Sequence, residues 1–330
     1  MLEHGGNLQQ ASRVFKRALN DWIDLSAGLN PQGYCAPAIS AQAWHRLPET
    51  DPSLLNAARR YYGMPAALAV AGTQAAIQAL PALRAPSRVI VAAPSYAEHA
   101  HHWSRHGHVM REVAYEGLQG ALSQCDVLVL CNPNNPTGAT VPADQLLQWS
   151  RRLRARGGWL VVDEAFGDLA PELSVARWSG QRGLIVLRSV GKFFGLAGVR
   201  AGFVGAHEEL LAELADILGP WPLTGPSQLI TRAALEDLVW QAQARKNLLA
   251  LGQQMRELLA RHDIVASGTA LFHWWPEQRP EQFQRHMAER GIWVRLFATA
   301  ARGIRVGLPT TSEQWTRLDM ALSEWTTAST

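Results

Sequence analysis

The middle of the chain alternates short, continuous apolar runs with segments of helical periodicity. The runs cover residues 88–92, 126–131, 160–163, 184–189 and 201–204. Runs of this kind suit strands buried on both faces of a mostly parallel sheet. Helical patterns fall between them at about 75–84, 96–106, 142–156 and 207–218, and Pro142 is placed to open one of these. The alternation predicts an α/β layer architecture. From Pro226 to about Arg261 the pattern predicts one long helix. Beyond it, strands over 270–275, 293–297 and 303–307 with helices near 279–290 and 312–327 predict a small α+β domain, which the opening 40 residues are expected to join. The expected division is a large domain over 41–225 and a second part made of 1–40 and 226–330.

Composition narrows the function classes. The chain has 330 residues, 47% of them hydrophobic, enough for a sizeable core. A formal charge of +3 is too small to argue for a nucleic-acid partner, although it suits a small anionic substrate. Cys35, Cys125 and Cys131 form neither a CxxC pair nor an even framework, so reduced thiols in a cytoplasmic protein are expected. Residues 1–25 carry Glu3, Arg13, Lys16, Arg17 and Asp21 without an apolar run, which argues against a signal peptide. No stretch approaches the roughly 20 apolar residues of a membrane span.

Three polar signals sit just past apolar runs. Asn132-Pro133-Asn134-Asn135-Pro136-Thr137-Gly138 follows one, Asp163-Glu164-Ala165-Phe166 ends another, and Ser189-Val190-Gly191-Lys192 follows a third. Ligands of open α/β sheets bind outside the carboxyl ends of the strands, so the three groups predict one site. Singly, each has a plain structural reading as a turn, a helix cap or a solvated lysine; their joint order and spacing point to chemistry.

With these motifs, and with SVGKFFGLAGVRAG over 189–202, the chain resembles the fold-type I pyridoxal phosphate (PLP) enzymes of the class I/II aminotransferase family. The resemblance covers nearly the whole chain. It implies the fold-type I transferase fold, with a mostly parallel sheet between helices in the large domain, and a homodimer. It also implies roles. Lys192 would carry PLP as a Schiff base and be displaced by the substrate amine. Asp163 would pair with the protonated pyridine nitrogen and keep the ring an electron sink. Asn135 would hydrogen-bond the ring's 3′-oxygen and reach the substrate, Tyr96 would stack on the ring, and Phe166 would line it. Gly72-Thr73-Gln74, ahead of a helix, would take the phosphate on backbone N–H groups, with Ser189 and Arg200 completing the cradle. Arg305 matches the family's carboxylate-binding arginine, a planar group suited to two parallel hydrogen bonds. Arg302 is its competitor, and Arg295 is a second anion ligand or a surface strand residue.

The opening, His4-Gly5-Gly6-Asn7 followed by Asp24-Leu25-Ser26-Ala27-Gly28-Leu29-Asn30-Pro31, is similar to the threonine-phosphate decarboxylase branch of that family. That likeness implies loss of carbon dioxide from a small phosphorylated amino acid, L-threonine O-3-phosphate. The product would be (R)-1-amino-2-propanol O-2-phosphate, used in cobalamin biosynthesis. His4, Gly5, Gly28, Arg295 and Arg305 become the expected substrate residues. The alternative is a histidinol-phosphate aminotransferase, which shares the core and a phosphorylated substrate. Retention of Lys192, Asp163, Asn135 and Arg200 argues against a silent scaffold.

Four positions depart from the family's pattern. Phe166 stands where many relatives have tyrosine, removing one hydrogen bond to the 3′-oxygen. Leu47 stands where many have a tyrosine that reaches the partner subunit's cofactor. Gln74 replaces a common acidic residue, and Gly28 a residue that is asparagine in some decarboxylase-like sequences. Separately, His99, His101, His102, His106 and His108 crowd ten residues, with His102 and His106 spaced to share a helix face. A zinc site needs a third ligand that nothing supplies, so no metal is expected and a solvated helix face, with His99 near the site entrance, is the reading.

Overall fold

The structure, a computed structural model, describes residues 5–327. It divides into two compact units. The larger comprises Gly33–Asn135 and Ala139–Ala242; the smaller comprises the chain up to Gln32, Pro136–Gly138, and the chain from Gln243 onward. The larger unit therefore takes in residues on both sides of the 41–225 expected from sequence.

The chain opens with helix α1 (Leu8–Phe15) and a short strand β1 (Ile23–Asp24) of the smaller unit. The larger unit then runs α2 (Gln42–His45), α3 (Pro52–Tyr62), β2 (Leu68–Val70), α4 (Thr73–Ala79), β3 (Arg88–Ala93), α5 (Ala97–Arg105), β4 (Val109–Ala114), α6 (Leu118–Ala121), β5 (Val127–Cys131), α7 (Ala143–Arg154), β6 (Trp159–Asp163), β7 (Leu184–Ser189), β8 (Gly202–Gly205), α8 (Glu208–Leu218) and α9 (Gly225–Glu236). Helix α10 (Leu238–Arg261) leads out of it into β9 (Ser267–Thr269), β10 (Phe272–Trp275), α11 (Pro280–Glu289), β11 (Ile292–Trp293), β12 (Arg295–Phe297), β13 (Gly303–Val306) and α12 (Ser312–Thr327).

The sheet of the larger unit has seven strands in the order β2-β8-β7-β6-β5-β3-β4. β8 is antiparallel to both its neighbours and every other pair is parallel. Every side chain of β5 and β7 is buried, as a strand covered by helices on both faces requires. β4 is the exception the apolar pattern did not show. It lies at the sheet edge, Val109 is exposed, and Arg111 and Glu112 break the run; charged residues on an edge strand discourage pairing with another chain.

Two sequence expectations are corrected. The long helix from Pro226 is two helices, because Asp237 leaves the helical region (φ −84, ψ 81). Its carboxylate accepts from Trp240 N, and the Gln241 side chain donates to the carbonyls of Ala234 and Leu235, so the polar groups exposed at the break are satisfied locally. The strand expected over 293–297 is also two, divided at the fully buried Val294. β11 pairs in parallel with β1, while β12 pairs with β13 in the four-stranded sheet β12-β13-β10-β9. The β1–β11 pairing is what ties the opening of the chain to its C-terminal part.

Beneath the carboxyl ends of β6 and β7 lies a buried ion set. Arg188 donates to Glu164 at 2.8 Å and pairs with Asp168 at 3.2 Å, with the Tyr62 ring 4.4 Å from the guanidinium carbon. Buried ion sets add little net stability over a well-packed apolar replacement. Their value here is positional. Glu164 follows Asp163 and Arg188 precedes Ser189, so the set fixes two strand ends against each other.

Among the described residues, no helix is long and apolar enough to cross a membrane.

Candidate active site

The strand directions bring the candidate loops of the larger unit to one end of its sheet. β3, β5, β6 and β7 run together, β8 begins where they end, and β2, antiparallel to β8, ends with them. Cys131 stands opposite Asp163 in register, and Gly202 stands opposite both Ser189 and Val70. The residues just past these positions therefore converge. Gly72, Thr73, Gln74, Tyr96, Asn135, Asp163, Phe166, Ser189, Lys192 and Arg200 all line a single pocket. Cys131 and Ala165 line it as well, and neither was expected from sequence.

Backbone geometry explains the glycines and the arginine. Gly72 has φ +73, a conformation that favours glycine, and the Arg200 guanidinium lies 2.7 Å from where a Cβ would stand. Arg200 itself is in the left-handed region at φ 55, which lays its side chain across Gly72, and its Nη1 donates to Ala197 O at 3.2 Å. A Cβ on Gly202 would meet Thr73 N at 2.9 Å, which is how closely the start of α4 rides over β8.

The floor of the pocket is Asp163. It is 4% exposed; Oδ1 accepts from Ala165 N at 3.0 Å and Oδ2 lies 3.0 Å from His99 Nε2. Burial alone would push His99 down, but its hydrogen bonds to Asp163 and Cys131 outweigh that and raise its pKa to about 10. The solvated histidine face is thereby corrected: His99, His102 and His108 are buried, at 2%, 9% and 6% exposure. The helical period is the reason. His99 follows Tyr96 by three residues, so it faces the sheet with it. The His102–His106 pair is not assembled either, since His102 bonds Glu98 and His106 Nδ1 bonds the His102 carbonyl. A different trio, His99, Cys131 and Asp163, brings its ligand-type atoms within 4.8 Å of one another.

The donor set fits PLP. A lysine amine stands 5.4 Å from the centre of the Phe166 ring, the buried Asp163 carboxylate would suit a cationic ring nitrogen, and the Asn135 amide would suit a ring oxygen. Ser189, Arg200 and the N–H groups of the first turn of α4 suit a phosphate. Tyr96 is raised by burial and by Glu98 and Asp163, so its phenol stays protonated.

In the smaller unit, Arg295 and Arg305 are direct cross-strand partners on β12 and β13. Arg305 is 6% exposed, its Nη2 donates to Ser26 O at 2.7 Å, and Phe272 and Phe297 pack on its guanidinium. Burial and the neighbouring Arg295 lower its pKa to about 9. An anion bound by the pair would offset both effects, as a carboxylate or phosphate site should. The competitor Arg302 is engaged elsewhere, in a two-bond pair with Glu281 at 2.9 Å. Ser26 also orders the opening arm: Gly6 N donates to its Oγ at 3.0 Å, and a Cβ on Gly5 would meet its carbonyl oxygen at 2.6 Å. Gly28 is buried. His4 lies outside the described residues.

His99 holds its proton more tightly folded than unfolded, so its contribution to stability is complete below the unfolded pKa of about 6.5 and fades as pH rises towards 10. In the cofactor-free protein, His99→Gln should cost about 1.5–3 kcal/mol at pH 6, the range for a hydrogen bond to a charged group. Urea unfolding should show that cost shrinking steadily between pH 7 and 10; a cost that grows with pH would refute the assignment.

Known proteins resemble this chain in sequence and in fold. The profile of the family described as "Aminotransferase class I and II" matches residues 7–324. Threonine-phosphate decarboxylase of Pseudomonas aeruginosa is 49% identical over 323 residues, covering 98% of this chain and 97% of the relative. Threonine-phosphate decarboxylase of a Sinorhizobium species is 39% identical over 315 residues, 92% of each. Among solved structures, histidinol-phosphate aminotransferase from Sinorhizobium meliloti, in complex with pyridoxal-5′-phosphate, superposes with a TM-score of 0.79 over 100% of this chain and 96% of that one, at 22% identity. That last likeness speaks to the fold.

Proposed function

Because the chain belongs to the class I and II aminotransferase family, we propose that it is a PLP-dependent decarboxylase of L-threonine O-3-phosphate, forming (R)-1-amino-2-propanol O-2-phosphate for cobalamin biosynthesis. The observation that carries this reading is the end-to-end likeness to two threonine-phosphate decarboxylases, over a pocket whose residues suit the cofactor.

Bound PLP supplies an electron sink for the pair released when a bond at the substrate's Cα breaks. The chain's residues decide which bond that is. Lys192 anchors the cofactor and holds a proton-carrying amine at the reacting face. Asp163, with His99 behind it, keeps a proton on the ring nitrogen. Tyr96 would stack on the ring and Phe166 would line it, while Asn135 would hold its oxygen. Ser189, Arg200, Gly72, Thr73 and Gln74 hold the phosphate. Arg305, with Arg295, Gly5, Gly28 and the His4 arm, binds the substrate's anionic groups. Binding energy from these remote anions fixes the orientation of the Cα–carboxylate bond.

Incubation of the purified protein with L-phosphothreonine tests the reading. Carbon dioxide and the amino alcohol phosphate are expected; an oxo acid without carbon dioxide would point to transamination and overturn it. The proposal includes a cytoplasmic homodimer. Trp44, Leu47, Trp221, Leu238 and Val239 are exposed by 53–83% on the larger unit, apolar side chains that a second copy would cover. Equilibrium sedimentation should return the mass of two chains, and a monomer at micromolar concentration would refute the dimer.

A further inference from the structure

Gln74 is the departure from the family's pattern that the proposed reaction leaves unexplained. The structure gives it two partners. Tyr96 Oη donates to Gln74 Oε1 at 3.1 Å, and Gln74 Nε2 donates to Glu98 Oε2 at 2.7 Å. The same Glu98 oxygen lies 3.0 Å from His102 Nε2. Tyr96 precedes the first turn of α5, Glu98 lies within that turn, and Gln74 is the second residue of α4. The chain of bonds thus ties the loop expected to hold the phosphate to the ring expected to cover the cofactor. Glu98 and His102 are both buried, at 9% exposure each, so the bonds compete little with water.

An amide is the side chain this position requires. It must accept from a phenol at one atom and donate to a carboxylate at the other, and glutamine does both at once. An acidic residue at 74 would accept from Tyr96 equally well but would set two carboxylates about a hydrogen-bond length apart. Like charges at that separation strongly disfavour both being ionised.

We propose that Gln74 and Glu98 are positioning residues for the cofactor, a bridge that fixes the hydroxyl end of Tyr96 to the phosphate loop so that stacking ring and phosphate donors are set as one unit. This rests on the reading of the pocket as a PLP site.

The test exchanges the two side chains. Gln74→Glu alone should raise the dissociation constant of PLP from the apoenzyme about tenfold and weaken the induced circular dichroism of the bound cofactor. Glu98→Gln alone should change either quantity by less than about threefold, since an amide oxygen at 98 still accepts. The double variant should return both to within about threefold of the natural chain, because the carboxylate introduced at 74 then accepts from Tyr96 and from the amide at 98. Far-ultraviolet dichroism and melting temperature confirm that each variant is folded. If Gln74→Glu lowers the melting temperature but leaves cofactor affinity and induced dichroism unchanged, or if the double variant is no better than the single, the inference is overturned. A natural chain with no PLP absorbance band would overturn the reading of the pocket and the bridge with it; a natural chain with the band and an indifferent Gln74→Glu would overturn the bridge alone.

Discussion

Lys192→Ala should reduce decarboxylation by at least about a thousandfold and abolish the visible absorbance of the lysine-bound cofactor, while the protein stays folded. Removing a covalent catalyst leaves only binding and electrostatic contributions, and the loss is then orders of magnitude. The fold should tolerate the change. Lys192 is only partly buried and follows β7, whose packing depends on Leu184, Ile185, Val186 and Leu187. PLP should still bind through Asp163, Asn135 and the phosphate cradle, but more weakly and without the Schiff-base spectrum. Added methylamine should restore a little activity, since a small free amine can take over the proton transfer. A variant that retained a tenth of the natural rate would place the covalent anchor elsewhere.

Arg305→Gln should lower kcat/KM for L-phosphothreonine by on the order of 10²–10³, the effect of removing one partner of a buried charged pair, about 2–5 kcal/mol. The loss should fall on kcat as well as KM, because binding energy used to orient the carboxylate is missing when the bond breaks. Arg305→Lys should recover little, since a point charge cannot make two parallel hydrogen bonds. Arg302→Gln serves as the control. Its pair with Glu281 is exposed on both sides, and such pairs are worth about 0–1 kcal/mol, so near-natural kinetics are expected. Equal losses from the two substitutions would contradict the assignment to Arg305.

The parts of the fold legible in sequence were those with one dominant cause. β5, β6 and β7 carry continuous apolar runs up to their polar carboxyl ends because both faces are covered, and those runs announce them. Most of the residues that line the pocket were legible because they end or follow an apolar run. What escaped was set by tertiary context. β4 is paired along one side only and carries charge, so no apolar run marks it. The break at Asp237 is accompanied by hydrogen bonds from the Gln241 side chain to backbone carbonyls and from Trp240 N to the Asp237 carboxylate, which periodicity does not encode. His99 reads as a polar residue on a polar helix; only the packing of α5 over Asp163 shows that it is buried. Its i+3 spacing from Tyr96 was the available signal. Cys131, the last residue of β5, lines the pocket by register with Asp163 alone.

In the proposed reaction this site breaks the Cα–carboxylate bond and spares Cα–H. The direct measurement is a partial reaction of L-phosphothreonine in D₂O, followed by mass and NMR analysis of product and recovered substrate. The amino alcohol phosphate should carry one deuterium at the carbon that lost carbon dioxide, and recovered substrate should keep its original hydrogen at Cα. Deuterium at Cα of recovered substrate, without release of carbon dioxide, would show an aminotransferase's choice of bond and contradict the claim.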